Sequence, residues 1–107
     1  MKLTVKERFS LIRLLPQRAD IITLTIARDI AEKAEFSQAE IKKLNIRQRE
    51  GGGLQWDDNI SAKNITFAEP ELHLLKEQVD KLDKDKAITP DSLTVCLKIR
   101  DEKGKEK

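Results

Sequence analysis

Glu50-Gly51-Gly52-Gly53-Leu54-Gln55-Trp56-Asp57-Asp58 contains three of the chain's four glycines and its only tryptophan. Each glycine loses more backbone freedom on entering a helix or strand than any other residue, so three in a row mark a turn. Ile46-Arg47-Gln48-Arg49-Glu50 on one side and Leu54-Gln55-Trp56-Asp57 on the other read as strands. Ile46, Leu54 and Trp56 alternate onto a face suited to burial, and Arg47, Arg49 and Gln55 fall on the opposite face. The stretch predicts a glycine-tipped β-hairpin. Two strands alone are marginal, so support is expected from a third short strand at Asn64-Ile65-Thr66-Phe67, beyond a turn at Asp57-Asp58-Asn59, or from a covering helix.

Upstream, the chain reads as helix. Thr4-Val5-Lys6-Glu7 is a capping box opening a helix over about 5–14, with Val5, Phe9, Leu11, Ile12 and Leu15 on one broad face and Pro16 beyond its end. After the polar connector Gln17-Arg18-Ala19-Asp20, a second helix over about 23–35 carries the stripe Leu24, Ile26, Ala27, Ile30, Ala31 and Ala34. Half of that stripe is alanine, which lets a neighbouring helix come close. Ser37 and Glu40 form another capping box, starting a short third helix that carries Ile41 and Leu44 and stops at Asn45. Only a tight corner separates the second and third helices.

Downstream, Glu69-Pro70-Glu71 opens a fourth helix with proline and acids in its first turn, followed by Leu72, Leu75, Val79 and Leu82 at 3-4-3 spacing. That seam packs on its own domain or pairs two copies of the chain. At Thr89-Pro90-Asp91-Ser92 two signals conflict. The cap and proline start a helix, yet Leu93, Val95, Leu97 and Ile99 alternate as in a strand; the cap chemistry is the more specific, which predicts helix over about 90–100. The expected fold is a mainly helical α+β domain over residues 1–100, with about five helices and a central hairpin. Residues 101–107, with no apolar side chain, are expected to form a disordered charged tail.

Composition narrows function by exclusion. A chain of 107 residues has room for one modest core, and its 38% apolar and 37% charged residues imply a thin core under a dense layer of charge. The net charge of +2 is uneven, with 11 Lys and Arg against 7 Asp and Glu over residues 1–50, then 5 against 8 over 51–86. An acidic partner is permitted, but the excess is small for a dedicated nucleic-acid binder. One cysteine allows no internal disulfide, and neither a signal peptide nor an apolar run near membrane-spanning length is seen, so the expected setting is the cytoplasm, away from membranes.

The residues assemble no catalytic motif. His73 and Cys96 stand alone of their kinds, without CxxC, HExxH or EF-hand spacing, so no metal is expected. His73 is expected on the polar side of its helix and Cys96 in the core. The triple glycine lacks a following Lys-Ser/Thr and precedes a strand-like segment, which excludes a P-loop or dinucleotide fingerprint, and no cofactor is expected. The sharpest positive pattern is the order helix, helix, turn, short helix, hairpin, which is that of a winged helix. In such a fold Ala31, Ile41 and Leu44 are buried, Gln38, Lys42 and Lys43 face a major groove, and Arg47 and Arg49 reach phosphates. Three features oppose it: Glu35 stands at the corner where glycine is usual, the recognition helix would be only about seven residues long, and Glu40 would either face the DNA or cap the helix.

At Leu3-Thr4-Val5-Lys6-Glu7-Arg8, Leu14-Leu15-Pro16, Ile22-Thr23-Leu24-Thr25-Ile26-Ala27-Arg28-Asp29-Ile30, Phe36-Ser37-Gln38-Ala39-Glu40 and Trp56-Asp57 the chain resembles short proteins encoded in tailed-phage and prophage genomes. That resemblance implies a phage-type accessory protein acting in a bacterial cytoplasm. It brings no catalytic residue with it. The expectation is therefore a non-enzymatic factor that binds a protein partner, in a regulatory or inhibitory role, with winged-helix DNA binding as the alternative. Gln38, Lys42, Lys43, Arg47, Arg49 and Gln55 are the candidate contact residues for either, and Leu72, Leu75, Val79 and Leu82 for a homodimer.

Overall fold

The computed structural model describes residues 1–57 and 60–102, apart from the side chain of Leu54. The expected turn at Asp58-Asn59 and tail residues 103–107 lie outside these. In chain order the elements are β1 (Lys2–Leu3), α1 (Val5–Leu14), α2 (Ile21–Ala34), α3 (Gln38–Leu44), β2 (Arg47–Gln48), β3 (Leu54–Gln55), β4 (Lys63–Asn64), α4 (Glu69–Lys84) and α5 (Pro90–Asp101). This is the mainly helical α+β architecture read from the sequence.

Four helices close into a ring: α1 packs on α2 and α5, and α4 packs on the same two. One core fills the ring, with Leu11, Ile30, Leu75, Val79, Val95 and Ile99 at its centre and Ala27 and Ala34 on the α2 wall. Burying a leucine or isoleucine fully contributes about 1.5–3 kcal/mol, so these side chains carry most of the driving force. Leu72, Leu75 and Val79 lie in this core and Leu82 is half-buried, so the 3-4-3 seam of α4 is used inside the domain and is not an outward dimer face.

The local signals place the helix starts well, with one shift. Asp20 accepts from the Thr23 amide and hydroxyl, so α2 begins at Ile21, two residues ahead of the expected start. The apolar stripe alone does not reveal that start, because Ile21 and Ile22 lie off it. Helix α5 forms despite its alternation, with Thr89 capping it and Asp101 as its last residue rather than the first of a tail.

Three helix starts share one device that links local structure to packing. In α1, α3 and α4 the third residue is a glutamate whose carboxylate accepts from the backbone amide of the capping position: Glu7 from Thr4, Glu40 from Ser37 and Glu71 from Ala68, at 2.8–2.9 Å. Each glutamate also takes a cation from a different helix. Lys98 of α5 reaches Glu7 at 2.7 Å, Arg8 of α1 reaches Glu40 at 3.0 Å, and Lys33 of α2 reaches Glu71 at 2.6 Å. One carboxylate thus caps its own helix and ties that helix to a neighbour.

The strands differ from expectation. Instead of joining the hairpin, β4 pairs antiparallel with β1 at the chain's start, Lys2 opposite Asn64 and Leu3 opposite Lys63. The N-terminal ammonium adds a bond to the Ile65 carbonyl at 2.9 Å. Ile65 and Phe67, which follow β4, are both buried and alternate as expected. The hairpin β2–β3 stands apart as its own two-stranded piece, so its support comes from helices.

Candidate functional site

Helix α3 and the hairpin form an arm held against α1 and the corner that follows α2. At its root is Arg8, which has 0% of its surface exposed. Its Nε donates to the Ala34 carbonyl at 3.0 Å and its Nη2 to the Glu35 carbonyl at 2.7 Å. Its two Nη atoms together span the Glu40 carboxylate at 3.0 and 3.2 Å. One guanidinium therefore satisfies the last carbonyls of α2 and grips the capping box of α3. Glu40 answers chiefly to Arg8, with the Ser37 amide assisting against burial, and its carboxyl falls from 4.5 to about 2. The corner needs no glycine, since Glu35 is extended at φ −72°.

An aromatic column fixes the hairpin. The Arg8 guanidinium lies 3.9 Å over the Phe36 ring. Phe9 meets Phe36 at 4.8 Å and Trp56 at 4.9 Å between centroids, both tilted. The Asp57 amide donates to the Leu44 carbonyl at 2.8 Å, and Leu44 is fully buried. Trp56 thus links the hairpin to α1, and Asn45, left-handed at φ 51°, turns the chain from α3 into β2. Beyond that base the tip carries Gly51, Gly52 and Gly53, all at positive φ, where a Cβ would meet only open space. It is closed by Arg49 N–H to the Gly53 carbonyl and Gly52 N–H to the Arg49 carbonyl, both at 3.1 Å.

All six candidate contact residues are exposed on this arm. Gln38 and Lys42 lie one turn apart on α3, and Lys43 follows in its last turn. Arg47 and Gln55 are cross-strand partners. Arg47 is partly engaged, donating to the Asn45 carbonyl at 3.0 Å and to Asp57 at 3.3 Å. Ile41 is 41% exposed beside Lys42, contrary to its expected burial, and Ala31 is half-buried. Glu40 is turned to Arg8, which resolves its two expected roles in favour of the cap.

Two apolar surfaces lie apart from the six candidate contact residues. Ile21 and Ile22, in the first turn of α2, are 84% and 72% exposed on the side away from Ala27, Ile30 and Ala34, with Leu24 nearby at 37%. Leu93 and Leu97 are 46% and 48% exposed along α5. The signal is angular: at 100° per residue Ile21, Ile22, Leu93 and Leu97 fall off the core stripes of their helices, whereas Leu24, expected on the α2 stripe, sits at its edge and is exposed.

His73 is exposed and pairs with Glu77 at 3.3 Å along α4, on the polar side as expected. Cys96 is buried, and burial pushes its thiol upward, away from the thiolate that reactivity requires. Burial also pushes the Glu7 carboxyl up, but the Lys98 ammonium and the Thr4 amide outweigh it and leave the group below its ordinary range. A groove of about 390 Å³ between α1, α4 and the start of α5 is lined by Ser10, Arg13, Leu14, Lys81, Leu82 and Asp85 among others. Among the described residues no three His, Cys, Asp or Glu side chains are grouped to hold a metal ion, and no helix is long and apolar enough to cross a membrane. No protein-family model, curated protein or solved structure matches the chain.

Proposed function

We propose that this protein is a small non-enzymatic accessory factor of phage type that acts by binding another protein in the bacterial cytoplasm. The observation that carries this reading is the pair Ile21 and Ile22. Their side chains face water opposite the core, so the fold draws almost no burial energy from them, and a protein partner is the natural means of covering them. The arm adds a second exposed surface, with the apolar Ile41 beside Lys42. The test is affinity capture from host or infected lysate under nuclease, comparing the native chain with Ile21→Lys/Ile22→Lys. A stoichiometric protein retained by the native chain and lost by the variant is expected; retention only of species that vanish with nuclease overturns the reading.

DNA binding through the arm is the second reading, favoured by one observation. With Glu40 held by Arg8, Gln38 and Lys42 are left on the exposed side of α3. The Arg47–Asp57 pair counts against it, since Arg47 is then shared between Asp57 and any phosphate. A titration on mixed-sequence duplex that shows no binding at about 50 mM salt excludes it, because phosphate contacts are strongest there.

A further inference from the structure

The exposed Ile22 belongs to a stripe of α2 beside the one that fills the core. At 100° per residue Ile22, Ile26, Asp29 and Lys33 fall within about 60° of one another, on the flank next to Ala27, Ile30 and Ala34. This flank faces α4, since Lys33 reaches Glu71 at 2.6 Å and the half-buried Ile26 shares a groove with Pro70, His73 and Leu74. Leu74 stands off the Leu72–Leu75–Val79–Leu82 seam and is buried on the side turned to α2.

The groove holds about 400 Å³ and is lined only by residues of α2 and α4. Glu69, His73 and Glu77 stand one turn apart along its rim, and no lysine or arginine lines it. Among the described residues neither Glu69 nor Glu77 pairs with a lysine or arginine: Glu77 meets His73 at 3.3 Å, and Lys33 is already held by Glu71. On the α2 side the apolar surface continues from Ile26 to Ile22, one turn earlier and 72% exposed.

We infer that this groove takes a basic amphipathic helix of a protein partner, with aliphatic side chains on Ile22, Ile26 and Leu74 and lysines or arginines against Glu69 and Glu77. This partner chemistry presupposes the protein-binding factor proposed above. Carboxylates that no lysine or arginine answers call for positive charge, and they repel an acidic peptide or a phosphate backbone. The aliphatic row between them calls for an apolar ridge. Every lining residue belongs to a helix, so the groove offers no strand edge to an extended peptide. A helix satisfies its own backbone and brings residues three and four apart into one line, which fits a furrow between two helices.

The probe is a labelled synthetic peptide of about 15 residues, a length at which an isolated helix is marginally stable. Leucine stands at every third or fourth position with lysine elsewhere, and a twin carries glutamate in place of lysine. In fluorescence anisotropy at about 50 mM salt, where exposed charges are little screened, the lysine peptide should bind and the twin should not. Amide resonances of Ile22, Ile26, His73 and Glu77 should shift on binding. Glu69→Gln/Glu77→Gln should weaken binding roughly fivefold and Ile22→Ser roughly tenfold, with unchanged circular dichroism because all three positions are exposed. Asp101→Asn, an exposed carboxylate on α5, should leave it unaltered. No binding of the lysine peptide overturns the inference. So does equal binding of the twin, or a loss in Glu69→Gln/Glu77→Gln no larger than in Asp101→Asn. A lysate partner lost by Ile21→Lys/Ile22→Lys yet kept by Glu69→Lys/Glu77→Lys also overturns it, while the reading of a protein-binding factor stands.

Discussion

The ring of four helices and the arm are assembled by different physics. In the ring, α1, α2, α4 and α5 each bury a stripe against two neighbours, so the loss of one contact leaves the others in place. The arm has a much smaller anchorage: the Arg8 grip on the corner, the column Phe36–Phe9–Trp56, and Leu44 beneath α3. Redundant burial makes a stable frame, and a few specific contacts make an attachment that single substitutions can release.

The largest expected effect breaks that attachment at its root. Arg8→Met removes the donors to two carbonyls and the Glu40 carboxylate in a buried setting, and should cost about 3 kcal/mol in urea unfolding. Arg8→Lys should recover little, because an ammonium cannot span both oxygens of Glu40 while also reaching Ala34 and Glu35.

Phe9→Ala should cost less, about 2 kcal/mol, because the ring is only half-buried. It strikes the arm more than the frame. Trp56 is the only tryptophan, so its emission should move to the red as the hairpin loosens while helix content holds; a blue, unchanged emission would show that the column does not hold the hairpin.

Acid provides a milder probe of the same joint. Glu40 titrates at about 2 in the folded chain against an ordinary 4.5, so the unfolded chain binds its proton first as pH falls. Its contribution is complete above about pH 4.5 and lost progressively down to about pH 2. Glu40→Gln should flatten the stability profile in that window and leave its shape above it unchanged, read by denaturation at a series of pH values.

The smallest effect is expected at the tip. Gly52 sits at φ +107°, so Gly52→Ala strains the turn by about 1 kcal/mol even though a Cβ meets no atom there. The strain should appear as faster amide exchange at Arg49 and Gly52, whose turn bonds it loosens, with the frame's unfolding midpoint nearly unmoved.

Much of the fold was legible because its signals are local. Thr4 with Glu7, Ser37 with Glu40, and Thr89 with Pro90 mark three helix starts within a few residues each, and the glycines mark the hairpin tip. The candidate site was legible only as a set of exposed polar residues on the arm. In the sequence Arg8 is one cation among many in a charged segment, because its acceptors lie 26, 27 and 32 residues away. The β1–β4 pairing was hidden for the same reason, with Lys2 and Asn64 far apart and neither strand longer than two residues.

By itself the sequence determined where four of the five helices start, that the chain turns at Gly51–Gly53, that Cys96 is a core residue and that α5 is apolar at alternating positions, since caps, glycine and periodicity act over one or two turns of chain. Only the tertiary structure decided which glutamate meets which cation, that the α4 seam is interior, and that Ile21, Ile22, Leu93 and Leu97 remain in water. Burial and ion pairing depend on which faces the packed helices turn toward one another, and that is set by the whole chain at once.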